Sequence, residues 1–247
     1  DNMSVAGETI DYGPCAFIDS YQHDKVFSSI DERGRYAYNN QPSIGLWNLT
    51  RFAECLVPLI SDDADEAVEM AQHVLHSYID HYQSHWLAGM QAKCGLTALK
   101  GREQDDKILI EALLNEMDAN NVDFTLLFFY LSHLDSHSAD QDSDCRALFD
   151  QPTRFDQWAV KWRERLAKET QSEQERQAAM QAANPVYIPR NHQIEAVIRA
   201  AEDRNDFLPF HELHEVLQNP YRQQPGKEHY QLPPTADEIV EHTFCGT

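Results

Sequence analysis

From Ser43 onward, the apolar residues of this chain recur with the spacing of an α-helix almost throughout. Pro42 stands where the first helix would begin, a position at which proline costs no helical hydrogen bond. The first helix presents a wide apolar face, formed by Ile44, Leu46, Trp47, Leu49, Phe52, Ala53, Leu56 and Leu59. Asp62 and Asp63 open a second, acidic helix that reaches about Gly89. Its apolar face comprises Ala67, Met70, Ala71, Val74, Leu75, Tyr78, Ile79, Tyr82 and Trp86. The pattern predicts a mainly α-helical protein.

Further helices are predicted at 104–118, 123–134, 155–182, 190–203 and 208–217. The stretch 164–182 is strongly polar and rich in helix formers, so we expect a solvated helix there that could serve as a connector. Residues 219–234 are rich in Pro, Gln and Gly, which predicts an irregular surface segment.

The first 42 residues differ from the rest of the chain. They are rich in Gly, Asp, Tyr and Pro, with short apolar pieces at 15–18 and 25–27. This composition predicts loops and short strands, and such segments commonly carry the chemistry of a site on a more rigid scaffold.

The charge and the cysteines exclude several classes of protein. The formal net charge of −21 and the isoelectric point near 4.8 argue against binding to nucleic acids or anionic lipid surfaces. No apolar run reaches the roughly 18 residues that a membrane span needs. The five cysteines are scattered and odd in number, which is typical of reduced thiols and not of a disulfide framework or zinc site. These observations suit a soluble cytoplasmic protein without a membrane partner.

Two acidic positions and an amide near the start of the chain suggest metal chemistry. Asp1 and Asn2 form a pair, and Asn2 stands nine residues before Asp11 of an Asp11-Tyr12-Gly13 turn. Carboxylate and amide oxygens are hard ligands that suit Mg²⁺ or Mn²⁺, the metals of phosphoryl and nucleotidyl transfer. Protein kinases use an Asn and the Asp of an Asp-Phe-Gly turn for this purpose. An Asp-Tyr-Gly sequence is also ordinary turn chemistry, and on spacing alone the turn is favoured.

Three longer motifs add a family resemblance. They are DNMSVAGETIDYGP at 1–14, GRYAYNNQPSIGLWNLTRFAE at 34–54 and NPVYIPRNHQIEAVIRAAE at 184–202. Together they resemble the SelO family, formerly called YdiU, whose members are kinase-fold pseudokinases acting as protein adenylyltransferases. The resemblance covers essentially the whole chain and implies the C-terminal half of a longer protein. It implies a protein-kinase-like C-lobe at 1–150, a C-terminal helical region with an irregular tail at 151–247, and a nucleotide-gripping N-lobe upstream.

The resemblance also implies roles for individual residues. Asn2 and Asp11 match the family's metal ligands, for Mg²⁺ or Mn²⁺, and Asp1 matches the carboxylate proposed as general base for the acceptor hydroxyl. ATP would bind in a flipped orientation, so that AMP and not the γ-phosphate is transferred to Ser, Thr or Tyr hydroxyls of other proteins. The remaining interpretations are ordinary phosphotransfer and a non-catalytic binding module that presents acidic helices.

Family members often carry a redox-active cysteine or selenocysteine very near the C-terminus, and Cys245 occupies that place. A disulfide to a cysteine near the active site could couple activity to redox state, and Cys15 is one candidate partner. Relatives imply a partner cysteine at the position that Phe27 occupies here. The alternative is that Cys15 is a packed thiol and Cys245 sits on a loose tail.

Two further motifs suggest metals but favour ordinary structure. His81 and His85 are spaced to share a metal on one helix face, yet no Glu stands beside the first His, so a solvated helix is favoured. The run from Asp140 to Asp144 resembles the start of a calcium loop but lacks the glycine and the final glutamate, so a polar loop is favoured.

Overall fold

The computed structural model describes residues 3–4, 6–7, 15–99 and 101–243. This part of the chain is mainly helical, which confirms the class predicted from the apolar spacing. Its α-helices are α1 (Gln41–Ile60), α2 (Ala64–Lys93), α3 (Glu103–Ala119), α4 (Phe124–Leu131), α5 (Ser143–Ala147), α6 (Pro152–Leu166), α7 (Glu173–Ala183), α8 (Asn191–Arg204) and α9 (Leu208–Leu217). Short 3₁₀ turns occupy Tyr38–Asn40, Glu228–Gln231 and Ala236–Glu238. Within these described ranges, no helix combines the length and apolar character that crossing a membrane requires.

The predicted short strands at 15–18 and 25–27 do not form. In the described part of the chain, the pairing is limited to one isolated β-bridge between Ser20 and Asp123. A strand needs a ladder of main-chain hydrogen bonds. Here the partner segment turns into helix α4 directly after Asp123, so the ladder cannot continue.

The predicted single helix over 155–182 is instead two helices, α6 and α7. Ser172 begins α7 with a capping box: its hydroxyl accepts from the Glu175 N–H (3.3 Å), and the Glu175 carboxylate accepts from the Ser172 N–H (2.9 Å). Such a cap satisfies N–H groups that a continuous helix would bond internally, so it starts a new helix. The expectation of a solvated helix holds for one side of α7, where Gln174, Glu175 and Ala178 are exposed, while Arg176 and Met180 on the other side are buried.

Two smaller regions complete the comparison with the sequence. The acidic stretch that begins at Asp140 contains the one-turn helix α5, where only a loop was expected. Residues 219–234 are irregular as predicted, apart from the 3₁₀ turn at Glu228–Gln231.

The chain divides into two compact units. The first holds the described residues of Asp1–Cys15, Asp24–Leu87 and His242–Thr247, and the second consists of Ala16–His23 and Ala88–Glu241. These units are substructures of the chain, and the division at residue 150 into a lobe and an extension stays a prediction.

The second unit has a well-packed apolar interior. Trp158 and Trp162 of α6 stack with ring centroids 5.8 Å apart and are buried. Each indole N–H reaches a main-chain carbonyl, of Leu109 (2.9 Å) and Cys94 (2.8 Å) respectively. Since a buried indole donor without an acceptor is costly, these bonds fix the register of α6 against its neighbours.

A buried ion pair lies within the same unit. Arg165 donates to both carboxylate oxygens of Asp106, at 2.5 and 3.0 Å, and to Glu169 at 2.6 Å. Gln91 donates to Asp106 at 2.7 Å. Every charge in this cluster therefore has hydrogen-bonding partners, which offsets the cost of removing it from water.

The first unit is built differently. Asp63 caps α2 by accepting from the Asp65 N–H (2.9 Å). α1 lies close to α2 at Gly45, where a Cβ would stand 2.5 Å from the Tyr78 hydroxyl oxygen. Yet in the described part of this unit, the only buried apolar side chains are those of Ala37 and Ala67. The apolar faces predicted for α1 and α2 are thus only partly covered, and several of their members are exposed, namely Trp47, Phe52, Leu59, Met70, Val74, Ile79 and Tyr82.

Candidate functional site

Four of the five predicted site residues, Asp1, Asn2, Asp11 and Cys245, lie outside the described residues. The fifth, Cys15, is half-buried and belongs to the first unit. The structure describes the chain from Cys15 onward. It therefore shows how the segment that follows the Asp-Tyr-Gly turn is held, and not the turn itself.

The segment Ala16–His23 belongs to the second unit and is held there by main-chain bonds to a side-chain amide. The Phe17 N–H donates to Asn191 Oδ1 (2.9 Å), and Asn191 Nδ2 donates to the Phe17 carbonyl (2.8 Å). The Asn191 amide thus satisfies both main-chain groups of Phe17, as a neighbouring strand would. Asn191 is the first residue of α8, so a helix end positions it.

Arg190, directly before Asn191, forms the second attachment. Its guanidinium donates to both carboxylate oxygens of Asp123, at 2.7 and 3.1 Å, and also to the carboxylate of Asp19. Its Nε donates to the Gln231 carbonyl (3.1 Å). The Arg190 side chain is 1% exposed, so its guanidinium bonds to protein groups and not to water. A planar guanidinium that meets a carboxylate with two bonds fixes distance and orientation together.

Asp123 links this ion pair to the start of α4. One of its oxygens also accepts from the Leu126 N–H (2.8 Å), which makes Asp123 the N-cap of α4. The main chain adds two bonds beside it, from the Phe124 N–H to the Asp19 carbonyl (2.9 Å) and from Tyr21 N–H to the Val122 carbonyl (2.8 Å). The segment after the Asp-Tyr-Gly turn is therefore fixed to the starts of α4 and α8. We call this set, Asp19, Asp123, Arg190 and Asn191, the anchor.

Burial perturbs the charged groups of the anchor in opposite ways. It raises the pKa of the Asp19 carboxyl, and the attraction of Arg190 only partly offsets this. Burial alone would lower the pKa of Arg190, but its hydrogen bonds and charge interactions with Asp123 and Asp19 together raise it. Burial also lowers the pKa of His192, the residue after Asn191, so its imidazole is neutral at pH 7. Arg190 thus stays charged beside its carboxylates.

The anchor was not predicted from the sequence, although part of it left a signal. An Asp immediately before the apolar run that begins at Phe124 is a typical N-cap, so the cap could have been predicted. The partners of Arg190 stand 67 and 171 residues away along the chain. A local sequence pattern cannot predict ion pairs between residues so far apart in the chain.

In the first unit, a loop after the candidate site is ordered by a side chain and by the C-terminal tail. Asp31 accepts from the main-chain N–H groups of Arg35 and Tyr36, both at 2.8 Å. The Ser29 N–H donates to the Thr243 carbonyl (2.7 Å), and the Thr243 hydroxyl donates to the Phe27 carbonyl. The tail therefore reaches this loop two residues before Cys245.

The described residues contain no cluster of three or more His, Cys, Asp or Glu side chains arranged for a metal. In the stretch that resembles a calcium loop, Asp142 instead pairs with both terminal nitrogens of Arg163, at 2.6 and 3.0 Å. The His81 and His85 side chains are exposed on α2. The exposed histidines agree with the solvated helix favoured from the sequence, and Asp142 has a structural partner. The predicted metal ligands Asn2 and Asp11 lie outside the described ranges.

Comparisons with known proteins place the chain in a family. The model of the family described as "Protein adenylyltransferase SelO" matches residues 1–218. The chain belongs to the SelO family. It is similar to proteins named "Protein nucleotidyltransferase YdiU" from Rhodopseudomonas palustris strain BisB18 (56% identical over 248 residues) and strain BisB5 (53% over 247). The corresponding protein from Bradyrhizobium sp. strain BTAi1 is 52% identical over 248 residues.

Each of these alignments covers 100% of this chain and 49% of the relative. The chain therefore spans about half the length of the SelO relatives that it matches. The matched stretch includes Asp1, Asn2 and Asp11, and also Arg190 and Asn191 of the anchor.

Proposed function

We propose that this SelO chain forms the metal-binding part of a protein adenylyltransferase with a protein-kinase-like C-lobe. The enzyme transfers AMP from ATP to Ser, Thr or Tyr hydroxyls of other proteins. The observation that carries the proposal is the family match over residues 1–218, which includes the Asp-Asn pair and the Asp-Tyr-Gly turn. We further propose a bacterial cytoplasmic enzyme that acts as a monomer, with proteins and not nucleic acids or membranes as partners.

The chemistry of the donor set fits the implied metal. Asn2 supplies an amide oxygen and Asp11 a carboxylate, the hard ligands that Mg²⁺ and Mn²⁺ prefer. When bound, the metal would neutralise negative charge on the phosphates of ATP. Asp1 takes the proton of the acceptor hydroxyl. The hydroxyl oxygen forms a bond to the α-phosphorus, the bond between that phosphorus and the oxygen bridging to the β-phosphorus breaks, and pyrophosphate leaves.

The anchor supports the proposal from the structural side. A metal site works only if its ligands keep their positions, and Asp11 precedes the anchored segment Ala16–His23 by five residues. Asn191 bonds to the main chain of Phe17, and Arg190 pairs with the side chain of Asp19, so both residues hold that segment. Their positions in the 184–202 motif give that motif a physical role, which is to hold the chain that leaves the metal-binding turn.

Redox regulation through Cys245 is part of the proposal. Thr243 bonds to the loop at Phe27 and Ser29, and the first unit also contains Cys15. A disulfide between Cys245 and Cys15 would form with loss of two electrons and two protons to an oxidant such as glutathione disulfide. Phe27 occupies the position where relatives imply a cysteine, which leaves Cys15 as the proposed partner.

The test uses the longer protein encoded with this chain, a general acceptor protein, and ATP labelled at the α- or the γ-phosphorus. We expect transfer of the α-label only, abolished by Asp11→Ala. Asp24→Ala, an exposed carboxylate in the loop that follows, is the matched control and should retain activity. Repeating the assay under oxidising conditions with Cys245→Ser tests the regulation, since that variant should lose any redox response.

The other outcomes separate the alternatives. Transfer of the γ-label would make the protein a kinase and would contradict the flipped nucleotide. Absence of both labels in a folded protein would favour a non-catalytic binding module. We expect chain 1–247 alone to be inactive, and strong labelling by that chain would contradict the need for a second half.

A further inference from the structure

The exposed apolar side chains of the first unit are ordered along its two helices. On α1, Phe52, Cys55 and Leu59 are exposed and spaced three and four residues apart, which puts them on one side of the helix. On α2, Met70 and Val74 are exposed and four residues apart. Leu59 is 81% exposed and Val74 is 68% exposed. We call these five residues the α1–α2 apolar surface.

Exposure of such a surface to water is energetically unfavourable. Each large aliphatic or aromatic side chain gains roughly 1.5–3 kcal/mol when it is fully buried. Isolated exposed apolar residues are normal, but a row of them on adjoining helices is typical of a surface that another body covers. The same helices bury only Ala67 among their apolar side chains within the first unit. α1, with 20 residues, and the part of α2 up to Leu87 therefore lack an apolar core of their own within the described residues of the first unit.

We propose that the half of the SelO relatives' length that this chain does not span packs on the α1–α2 apolar surface. The length argument supports this occupant, because 49% coverage of each relative leaves a body of similar size to this chain. The proposal concerns assembly of the two halves and does not depend on which phosphoryl group is transferred.

Charge disfavours a second copy of the chain as the occupant. The chain carries a formal net charge of −21. The start of α2 adds exposed Asp65, Glu66 and Glu69 beside Met70. Pairing two copies through this surface would bring these carboxylates together, and like charges at close range oppose association.

Cys55 offers a native probe of the surface. Its thiol is exposed, whereas Cys94 and Cys145 are buried. Burial raises the pKa of Cys94 to about 12 and also raises the pKa of Cys145. The experiment compares maleimide labelling of Cys55 in chain 1–247 and in the longer protein, read by peptide mass spectrometry. We expect labelling to slow by about tenfold or more in the longer protein, because coverage removes access to the thiolate.

A matched control comes from the second unit. Val160 of α6 is an exposed apolar residue, and Val160→Cys supplies a surface thiol outside the proposed contact. Its labelling should be the same in both proteins. Equal labelling of Cys55 in the two proteins would overturn the proposal. So would protection of Cys55 in chain 1–247 that increases with protein concentration, since this would identify a second copy as the occupant.

A second comparison does not depend on the thiol. Leu59→Asp combined with Val74→Asp places charges on the surface, and Ile108→Asp combined with Val160→Asp places them on exposed sites of the second unit. In chain 1–247 both double variants should unfold at the wild-type temperature. In the longer protein only the first should lower the unfolding temperature. An unchanged unfolding temperature there would contradict coverage of the surface.

Discussion

The two compact units of this chain use similar helices in opposite ways. In the second unit, α3, α4 and α6 turn their apolar faces inward, and the largest side chains, such as Trp162 and Phe155, are fully buried. In the first unit, α1 and α2 carry equally regular apolar faces, yet Phe52 and Leu59 remain exposed. Both units satisfy the local rules for helix formation, but among the described residues only the second unit has a large apolar interior.

The difference teaches that apolar periodicity predicts the helix and not its partner. A helix forms wherever propensity and spacing allow, but most of its stability in a protein comes from packing of the apolar face. The second unit contains its own packing partners within residues 88–241. The first unit does not contain them in the described residues, and the proposed partner is the remainder of a longer SelO protein.

The sharpest test of the comparison substitutes the same residue type in both units. Phe155→Ala removes a fully buried ring (0% exposed), and the cavity should lower the free energy of unfolding by about 3–5 kcal/mol. Phe52→Ala removes a ring that is 45% exposed, and in chain 1–247 we expect a change within about 0.5 kcal/mol. Urea unfolding followed by circular dichroism measures both.

The same pair becomes a second test in the longer protein. If the α1–α2 apolar surface is covered there, Phe52→Ala should become clearly destabilising while the effect of Phe155→Ala stays unchanged. A large loss from Phe52→Ala in chain 1–247 itself would show that the first unit already has an interior, and the comparison would fail.

The next prediction concerns the anchor. Arg190→Met leaves the carboxylates of Asp19 and Asp123 without their buried cation, and breaking a buried pair in this way costs about 3–5 kcal/mol. Part of that cost is relieved because burial already raises the pKa of Asp19, which can take up a proton. We therefore expect a loss at the lower end of that range. Hydrogen exchange should also show faster exchange at Phe17 and Tyr21.

Arg199 of α8, the helix that begins directly after Arg190, is the matched control. It pairs with Glu195 at 2.7 Å, but both side chains are exposed, so water and salt screen the interaction. Arg199→Met should leave the stability and the exchange of Ala16–His23 unchanged. Equal effects from the two substitutions would mean that Arg190 is no more than a surface charge, and the anchor would lose its proposed role.

The sequence was sufficient to predict most of the helices but not the contacts of the anchor, and the reason is physical. Helix signals are local, and α3, α8 and α9 begin and end within one residue of the predicted limits. One signal was overlooked, since Ser172 and Glu175 form a readable capping box that separates α6 from α7. The pairing of Arg190 with Asp19 depends on how distant segments meet, and the charge pattern of one sequence does not report that.

The candidate site shows the same contrast between what local sequence predicts and what only the structure shows. The resemblance to the SelO family implies that Asn2 and Asp11 hold a metal and that Asp1 acts as a base, whereas the spacing of these residues alone favours an ordinary turn. All three residues lie outside the described residues. What the structure adds is the support of the chain that follows them. Asn191 is an example, because an amide that bonds both main-chain groups of Phe17 has no signature in the sequence.

The smallest predicted effect tests the close approach of α1 to α2 at Gly45. Alanine has a better helix propensity than glycine by about 1 kcal/mol, so Gly45→Ala would stabilise an isolated α1. In the folded chain its Cβ would stand 2.5 Å from the Tyr78 hydroxyl oxygen, and relieving that overlap costs about 1–3 kcal/mol. We expect a net loss of about 1 kcal/mol. Gly89→Ala in α2, which meets nothing within 4 Å, should instead gain about 0.5–1 kcal/mol.

A double substitution decides whether this contact is real. Tyr78→Phe removes the hydroxyl oxygen, and the nearest remaining atom of the ring, Cζ, is 3.5 Å from the new Cβ, which is ordinary van der Waals contact. Combining Gly45→Ala with Tyr78→Phe should therefore recover the loss and behave like Gly89→Ala. If Gly45→Ala alone is stabilising, α1 moves freely away from α2, and the first unit is held together by even less than its few buried residues indicate. That outcome would strengthen the case that both helices acquire their packing partners from the rest of the longer protein.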